Sequence, residues 1–223
     1  MGTLFIVGTP IGNLKDITLR ALEVLKSVDL ILAEDTRITK KLLSAYAIQR
    51  PVWRFDENAA EKSYTEVAER LRTGEQIALV TDAGTPGIAD PGWRLVRFLQ
   101  GELPDLKIIP IPGASAVAAA LSVSGIPADH YTFLGYPPHK KGRKTFFTKL
   151  ATFEIRPVVL YESPHRFQKT LTNLADVLGA DAKIIVGREL TKMFEEIFHG
   201  GIADATQYFV GKKAKGEFVV IIP

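Results

Sequence analysis

The sequence has no cysteine among its 223 residues, which excludes disulfides, a thiolate nucleophile and cysteine-ligated zinc. Its four histidines are scattered with no pair at ligand spacing, so no metal site is expected. Long hydrophobic runs are missing too. No segment is long and apolar enough to cross a bilayer as a helix. The opening apolar run, residues 3–7, stops at Gly8, too short for a signal-peptide core and without a basic leader. A cytoplasmic protein with no metal and no membrane partner is therefore expected. An excess of one charge sign is also lacking: 28 Lys and Arg against 25 Asp and Glu leave +3, so an anionic partner would have to be met by local clusters.

What is present is a globular composition, 46% hydrophobic and 24% charged, enough for one large domain or two small ones. The most informative stretch is 80–92, Val-Thr-Asp-Ala-Gly-Thr-Pro-Gly-Ile-Ala-Asp-Pro-Gly. An apolar run, 77–80, ends there in glycines, prolines and two carboxylates, which reads as a strand entering a shaped loop. A loop of that kind at the carboxyl end of a central strand usually holds a ligand.

Short β-type runs at 4–7, 30–33, 52–55, 77–80 and 107–111 alternate with amphipathic helices. Tyr64, Val67, Ala68 and Leu71 show the i, i+3, i+4, i+7 spacing, and Gly74 supplies a stop. This alternation predicts an α/β first half. Pro110, Pro112 and Gly113 then punctuate the chain before a small apolar helix at 115–123, which places a boundary between domains 1–112 and 113–223. The second half reads as strands at 132–134, 158–161, 183–186, 196–199 and 217–222 with a helix over 166–178, and its later strands predict a mixed or antiparallel sheet. The loop at 8–14, Gly-Thr-Pro-Ile-Gly-Asn-Leu, lacks both the Lys-Ser/Thr of a P-loop and the glycine spacing of a dinucleotide turn. It is either a ligand loop of another kind or a tight turn with no ligand role.

Taken together, Gly8 to Leu14, Glu34-Asp35-Thr36-Arg37, Asp82 to Gly92, Pro112-Gly113-Ala114-Ser115-Ala116, Glu162-Ser163-Pro164-His165-Arg166, Arg188-Glu189-Leu190-Thr191-Lys192 and Lys215-Gly216-Glu217-Phe218 resemble, in order, the ribosomal RNA small-subunit methyltransferase I family of the tetrapyrrole-methylase superfamily. The resemblance implies a two-domain α/β fold of the class III methyltransferase type, with an S-adenosyl-L-methionine cleft between the domains. It also implies a homodimer and methylation of a cytidine 2′-hydroxyl in small-subunit ribosomal RNA, in the assembled subunit. Two departures stand out. The chain stops at Pro223, where family members often carry a further helical extension, and it reads Gly135-Tyr136-Pro137-Pro138-His139-Lys140 where the family has an aromatic-Leu-Pro-Arg-Lys stretch.

The resemblance also assigns residues. Gly84, Thr85 and Pro86 occupy the place of the superfamily's cofactor turn, with Ile88 beyond and Ser115 and Ala116 facing it; Pro10, Tyr161, Glu189 and Glu217 are further candidate wall positions. Asp82 and Asp90 either contact the cofactor or pin the loop through backbone N–H groups. For the reaction, a ribose oxygen displaces the S-methyl group, with alignment dominant and a base accepting the proton late. Glu189 is the expected base, and Lys192 or Arg188 the ribose or phosphate clamp; a helical turn would place Glu189 and Lys192 on one face. The competing reading is a mutually neutralising charge cluster.

RNA contact is expected from Arg37, Lys140, Lys141, Arg143, Lys144, His165 and Arg166, with Lys40, Lys41, Lys212, Lys213 and Lys215 in support. Phe146 and Phe147 read as a core-facing helix rather than a base-stacking pair. Glu34 and Asp35 suit a helix start as well as substrate recognition. Two other function classes fit the same cleft: a tetrapyrrole carbon methylase, and a catalytically silent RNA-binding module.

Overall fold

The computed structural model describes residues 1–56, 58–211 and 215–223 and separates into two compact units, Met1–Ser115 and Ala116–Pro223. The first unit is built on five strands, β1 (Thr3–Val7), β2 (Leu30–Ala33), β3 (Val52–Arg54), β4 (Gln76–Val80) and β5 (Lys107–Ile111). They pair in parallel in the order β3-β2-β4-β1-β5. Period-two alternation sends Ile77 and Leu79 of β4 to one face and Ala78 and Val80 to the other. Both faces are covered. Helices α1 (Leu19–Ser27) and α2 (Thr36–Ala45) bring Ala21, Leu25 and Leu43 onto the Ala78 face. Helices α3 (Glu61–Arg72) and α4 (Trp93–Glu102) bring Val67, Ala68, Leu71, Leu95 and Leu99 onto the Ile77 face. A strand covered twice needs an unbroken apolar run, which is why 77–80 reads as it does.

Helix entries follow from local chemistry. Thr18 caps α1 by accepting the Ala21 N–H, and Asp35 caps α2 by accepting the Arg37 N–H. The strand order makes β1 and β4 neighbours, yet the chain leaves β1 for α1 on one face and β4 for α4 on the other. Their carboxyl ends therefore flank a topological switch point, where open α/β sheets bind ligands.

The second unit comprises α5 (Ala116–Ser122), β6 (Thr132–Phe133), α6 (Arg143–Leu150), β7 (Val158–Glu162), α7 (Pro164–Leu178), β8 (Lys183–Arg188), β9 (Glu196–Gly201), α8 (Ile202–Tyr208) and β10 (Phe218–Ile222). Its sheet runs β6-β7-β10-β8-β9, with β6 parallel to β7 and the other pairs antiparallel. Strand β10 is central and buried throughout. Three phenylalanines anchor the core: Phe167 stacks on Phe218 at 3.9 Å, and Phe209 meets both edge-on. Each fully buried ring contributes roughly 2–3 kcal/mol by the usual burial arithmetic. Phe147 lies in this core with Leu150. Helix α7 begins two residues before the expected Arg166, because Pro164 needs no N–H at the first helical position.

Candidate functional site

In the first unit, the loops leaving β1, β4 and β5 are joined backbone to backbone. Thr9 donates its N–H to the Gly84 carbonyl at 2.8 Å and accepts the Gly84 N–H at 3.2 Å, while its hydroxyl donates to Thr81 O and Gly84 O. Gly8 donates to Ile111 O at 3.0 Å. The approach of Gly8 to Gly113 leaves no room for side chains: a Cβ on Gly113 would come to 2.8 Å from three backbone atoms of Gly8. This packing draws Pro10, Gly84, Thr85 and Ser115 to one place at the switch point.

The β4 loop is held from within. Asp90 accepts the Gly87 N–H on both carboxylate oxygens, at 2.9 and 2.8 Å, and the Gly92 N–H at 2.7 Å. Asp90 is thus a loop pin. Asp82 accepts the Asp35 N–H at 3.0 Å, and Thr81 donates its hydroxyl to Glu34 at 2.8 Å, so the Glu34-Asp35 pair ties the end of β2 to the β4 loop. Burial raises the Asp82 carboxyl against the pull of that hydrogen bond. The Arg37 side chain, 85% exposed, grips Asp35 at 2.5 Å, and its hydrogen bond holds the Asp35 carboxyl well below the usual carboxylate range. Ala89 adopts a left-handed backbone, φ 62°, beside the exposed Ile88. Behind the loop, a cavity of about 350 Å³ is lined by Ile6, Leu79, Pro86, Ile88, Trp93 and Val96 among others. Trp93 had no role in the sequence reading; a tryptophan opening a helix directly after Asp-Pro-Gly was the available signal.

The second unit holds its loops with charged side chains. Glu162, at the end of β7, has a side chain with no exposed surface. Its Oε1 accepts from Ser163 N and pairs with Arg166, both at 2.8 Å; its Oε2 accepts the Thr170 hydroxyl at 2.5 Å and faces Arg143 at 3.7 Å. Arg143 was expected to meet RNA with the lysines around it. Instead it is 5% exposed, because its position on α6 points it inward with Phe147 and Leu150. Burial lowers its affinity for a proton, and Glu162 opposes that. Lys140, Lys141, Lys144 and His165 are exposed, while Arg166 is mostly covered and committed to Glu162. Thr170, fully buried, was missed; a polar residue in the stripe Phe167, Thr170, Leu171, Leu174 signals a buried partner.

Tyr161 packs its ring on Phe133 and Tyr136 at 4.9 and 5.5 Å. Burial pushes its hydroxyl up to about 12, against a backbone hydrogen bond from Val117, the residue after Ala116.

Between β8 and β9, Glu189 and Lys192 meet as expected, but through turns and not a helix: Glu189 and Thr191 have φ of 51° and 66°. Lys192 Nζ donates to Glu189 Oε1 and Glu217 Oε2, each at 2.8 Å, and Glu189 Oε1 also accepts the Glu217 N–H at 3.0 Å. Burial raises the Glu189 carboxyl, yet Lys192 and the Glu217 N–H outweigh it and leave it lowered. A carboxylate so stabilised is a poor proton acceptor. The geometry makes Glu189 a loop anchor. Arg188 likewise donates to Lys215 O at 2.7 Å and pairs with Glu196 at 3.3 Å. Lys40 and Lys41 lie exposed on α2, Lys215 is exposed, and Lys212 and Lys213 lie outside the described residues. Among the described residues, no cluster of His, Cys, Asp or Glu is arranged to hold a metal and no helix is long and apolar enough to cross a membrane.

Residues 3–206 match the family model described as tetrapyrrole (corrin/porphyrin) methylases. Over its whole length the chain is 43% identical to the ribosomal RNA small subunit methyltransferase I of Thermotoga maritima, covering 98% of that protein. The chain belongs to the ribosomal RNA small subunit methyltransferase I family of tetrapyrrole methylases. The family member of Bacillus subtilis is 41% identical and is covered over 75% of its length. Among solved structures, a cobalt precorrin-4 methyltransferase superposes with a TM-score of 0.74 at 18% identity, covering 99% of this chain and 94% of that one. Diphthine synthase gives 0.69 at 15%, covering 99% and 90%. At such identities the likeness shows the shared fold. The family's methyl donor is S-adenosyl-L-methionine, and the β1 and β4 loops suit it. Gly84 itself is buried, with its N–H and carbonyl both bonded to Thr9 and a left-handed backbone of φ 84°, so it shapes the joint between the loops, while the half-buried Thr85 and the exposed Ile88 and Ala89 beside it present the hydroxyl, main-chain and apolar groups that a ligand would meet. Such a ligand needs backbone polar groups beside apolar walls.

Proposed function

We propose that the protein methylates the 2′ oxygen of a cytidine in small-subunit ribosomal RNA, acting as a homodimer on the assembled subunit. The observation that carries this reading is the whole-length similarity to ribosomal RNA small subunit methyltransferase I proteins at 41–45% identity. S-adenosyl-L-methionine supplies a methyl group made electrophilic by its sulfonium. In the first unit, Pro10, Gly84, Thr85, Ile88 and Ser115 would hold it, with Asp82 and Asp90 fixing the loops. Ala116, Tyr161 and Glu217 are the second unit's candidates.

The ribose oxygen would bond to the methyl carbon as the carbon–sulfur bond breaks and the neutral thioether leaves, and the hydroxyl proton would pass to solvent water. Because the alcohol is a weak nucleophile, orientation is the chief contribution, worth several kcal/mol. Lys192 is the proposed clamp: an ammonium has three donors, and two are used on Glu189 and Glu217, leaving one for a ribose or phosphate oxygen. Lys140, Lys141 and Lys144 supply phosphate contacts.

The test is transfer of a labelled methyl group from S-adenosyl-L-methionine to small subunits lacking native modifications, followed by nuclease mapping. Label on a cytidine 2′ oxygen is expected. Label on a tetrapyrrole instead, or cofactor binding with no transfer to either, overturns the reading.

A further inference from the structure

We infer that Glu162 is a positioning residue for the 136–141 loop, acting through Arg143 and Arg166, so that a buried ionic cluster sets where the exposed lysines stand. The inference rests on the reading of that loop as an RNA contact.

Each guanidinium faces two ways. Arg166 pairs with Glu162 at 2.8 Å and donates from its other branch to the Pro137 carbonyl at 2.9 Å. Arg143 faces Glu162 at 3.7 Å, donates to Thr170 and Asn173 at 2.6 and 2.8 Å, and reaches the Pro138 carbonyl at 3.1 Å. Consecutive prolines have no N–H to donate, so the loop is held at these two positions through its carbonyls. Upstream, Gly135 O accepts the Tyr161 N–H at 3.0 Å. The Tyr136 ring meets Tyr161 at 5.5 Å and the Arg166 guanidinium at 5.9 Å. His139, Lys140 and Lys141 follow at once and are exposed.

A cluster serving only to dock α6 and α7 on β7 would need the bonds to Thr170, Asn173 and Glu162. The contacts to Pro137 and Pro138 hold neither helix; they fix the loop. The charges point the same way. One carboxylate under two guanidinium groups leaves net positive charge beneath three exposed lysines, which favours a phosphate partner. Buried support of this kind preorganises groups that a surface loop would otherwise leave mobile.

Glu162→Gln strips both arginines of their buried partner and risks unfolding, so the informative variant is Arg143→Lys. It keeps a cation opposite Glu162 but loses the fork that reaches Pro138. Three readouts are taken on the full chain: the melting temperature, the rate of trypsin cleavage after Lys140 and Lys141, and kcat and KM for methyl transfer to unmodified small subunits. In a variant that still melts cooperatively, cleavage at the loop should accelerate about tenfold, as local opening becomes easier. KM should rise by a similar factor, about tenfold, with the smaller change in kcat. In a Lys140→Gln/Lys141→Gln background, adding Arg143→Lys should raise KM no further. Unchanged cleavage overturns the inference, as does a freed loop with unchanged KM while the lysine pair alone raises KM. If the lysine pair has no effect on KM, the loop is not an RNA contact, and the inference falls with that reading.

Discussion

Residues 1–115 hold their strand-end loops by contacts to the main chain, with Gly8 against Gly113, Thr9 bridged to Gly84 and the Asp90 and Asp82 carboxylates accepting backbone N–H groups, whereas residues 116–223 hold theirs with pairs of opposite charge, Glu162 between two arginines and Lys192 between two glutamates. The two constructions fail in different ways. The contacts between backbones depend on the absence of a side chain and are indifferent to pH and salt; the paired charges tolerate added volume at their edges but not a lost charge. A donor that must be cradled closely suits the first, and a polyanion that must be met by charge suits the second.

The strongest way to break this contrast is to remove the buried charge. Glu162→Gln should cost about 3–5 kcal/mol, because it leaves two guanidinium groups without a charged partner in a site closed to water. Urea denaturation measures it, and a cost near zero would mean that the network is ornamental. Next in size, Gly113→Ala should cost about 1–3 kcal/mol by overpacking, since its Cβ would sit 2.8 Å from the Gly8 backbone. The same denaturation series reads it, together with weaker S-adenosyl-L-methionine binding by calorimetry. Asp90→Asn should cost less, about 1–2 kcal/mol, since the Gly87 and Gly92 N–H groups lose a charged acceptor.

The smallest effect sharpens the contrast through pH. The Glu189 carboxyl is lowered from 4.5 in the folded protein, so the stability it contributes is present above about pH 4.5 and is lost as pH falls through the lower folded value. Lys192 is raised from 10.5, with its hydrogen bonds to Glu189 and Glu217 outweighing burial. Its contribution is therefore present below that value and lost as pH rises through the higher one. Melting curves of the wild type and Glu189→Gln should differ by about 1 kcal/mol or less around neutrality, given the partial exposure, and converge in acid. A difference that persists in acid would refute the ion-pair account.

Much of the first unit was legible because its signals are local. The run at 77–80 has the unbroken apolarity of a strand covered on both faces, and the glycines and prolines at 84–92 announce the loop that follows. The second unit was harder to read because its decisive contacts are distant in sequence. Within the run 140–144, Arg143 looks like its neighbours until Glu162 appears beneath it; yet its spacing to Phe147 and Leu150, i, i+4 and i+7, already marked the inward face of α6. Glu189 and Lys192 carry the spacing of a helical turn. Their actual geometry is set by the ladder of β8 with β10 and by Glu217, which no local pattern encodes.

The most direct test of the proposed division between cofactor binding by residues 1–115 and RNA binding by the lysines at 140–144 is a crossed titration. Isothermal calorimetry of S-adenosyl-L-methionine and of a small-subunit RNA fragment is run on Asp90→Asn and on Lys140→Gln/Lys141→Gln/Lys144→Gln. The account predicts that Asp90→Asn weakens the cofactor about tenfold and leaves RNA affinity intact. The lysine variant should do the reverse, with its salt dependence flattened by about 2 in log–log slope. Equal weakening of both ligands in both variants, or RNA affinity untouched by loss of the lysines, would contradict it.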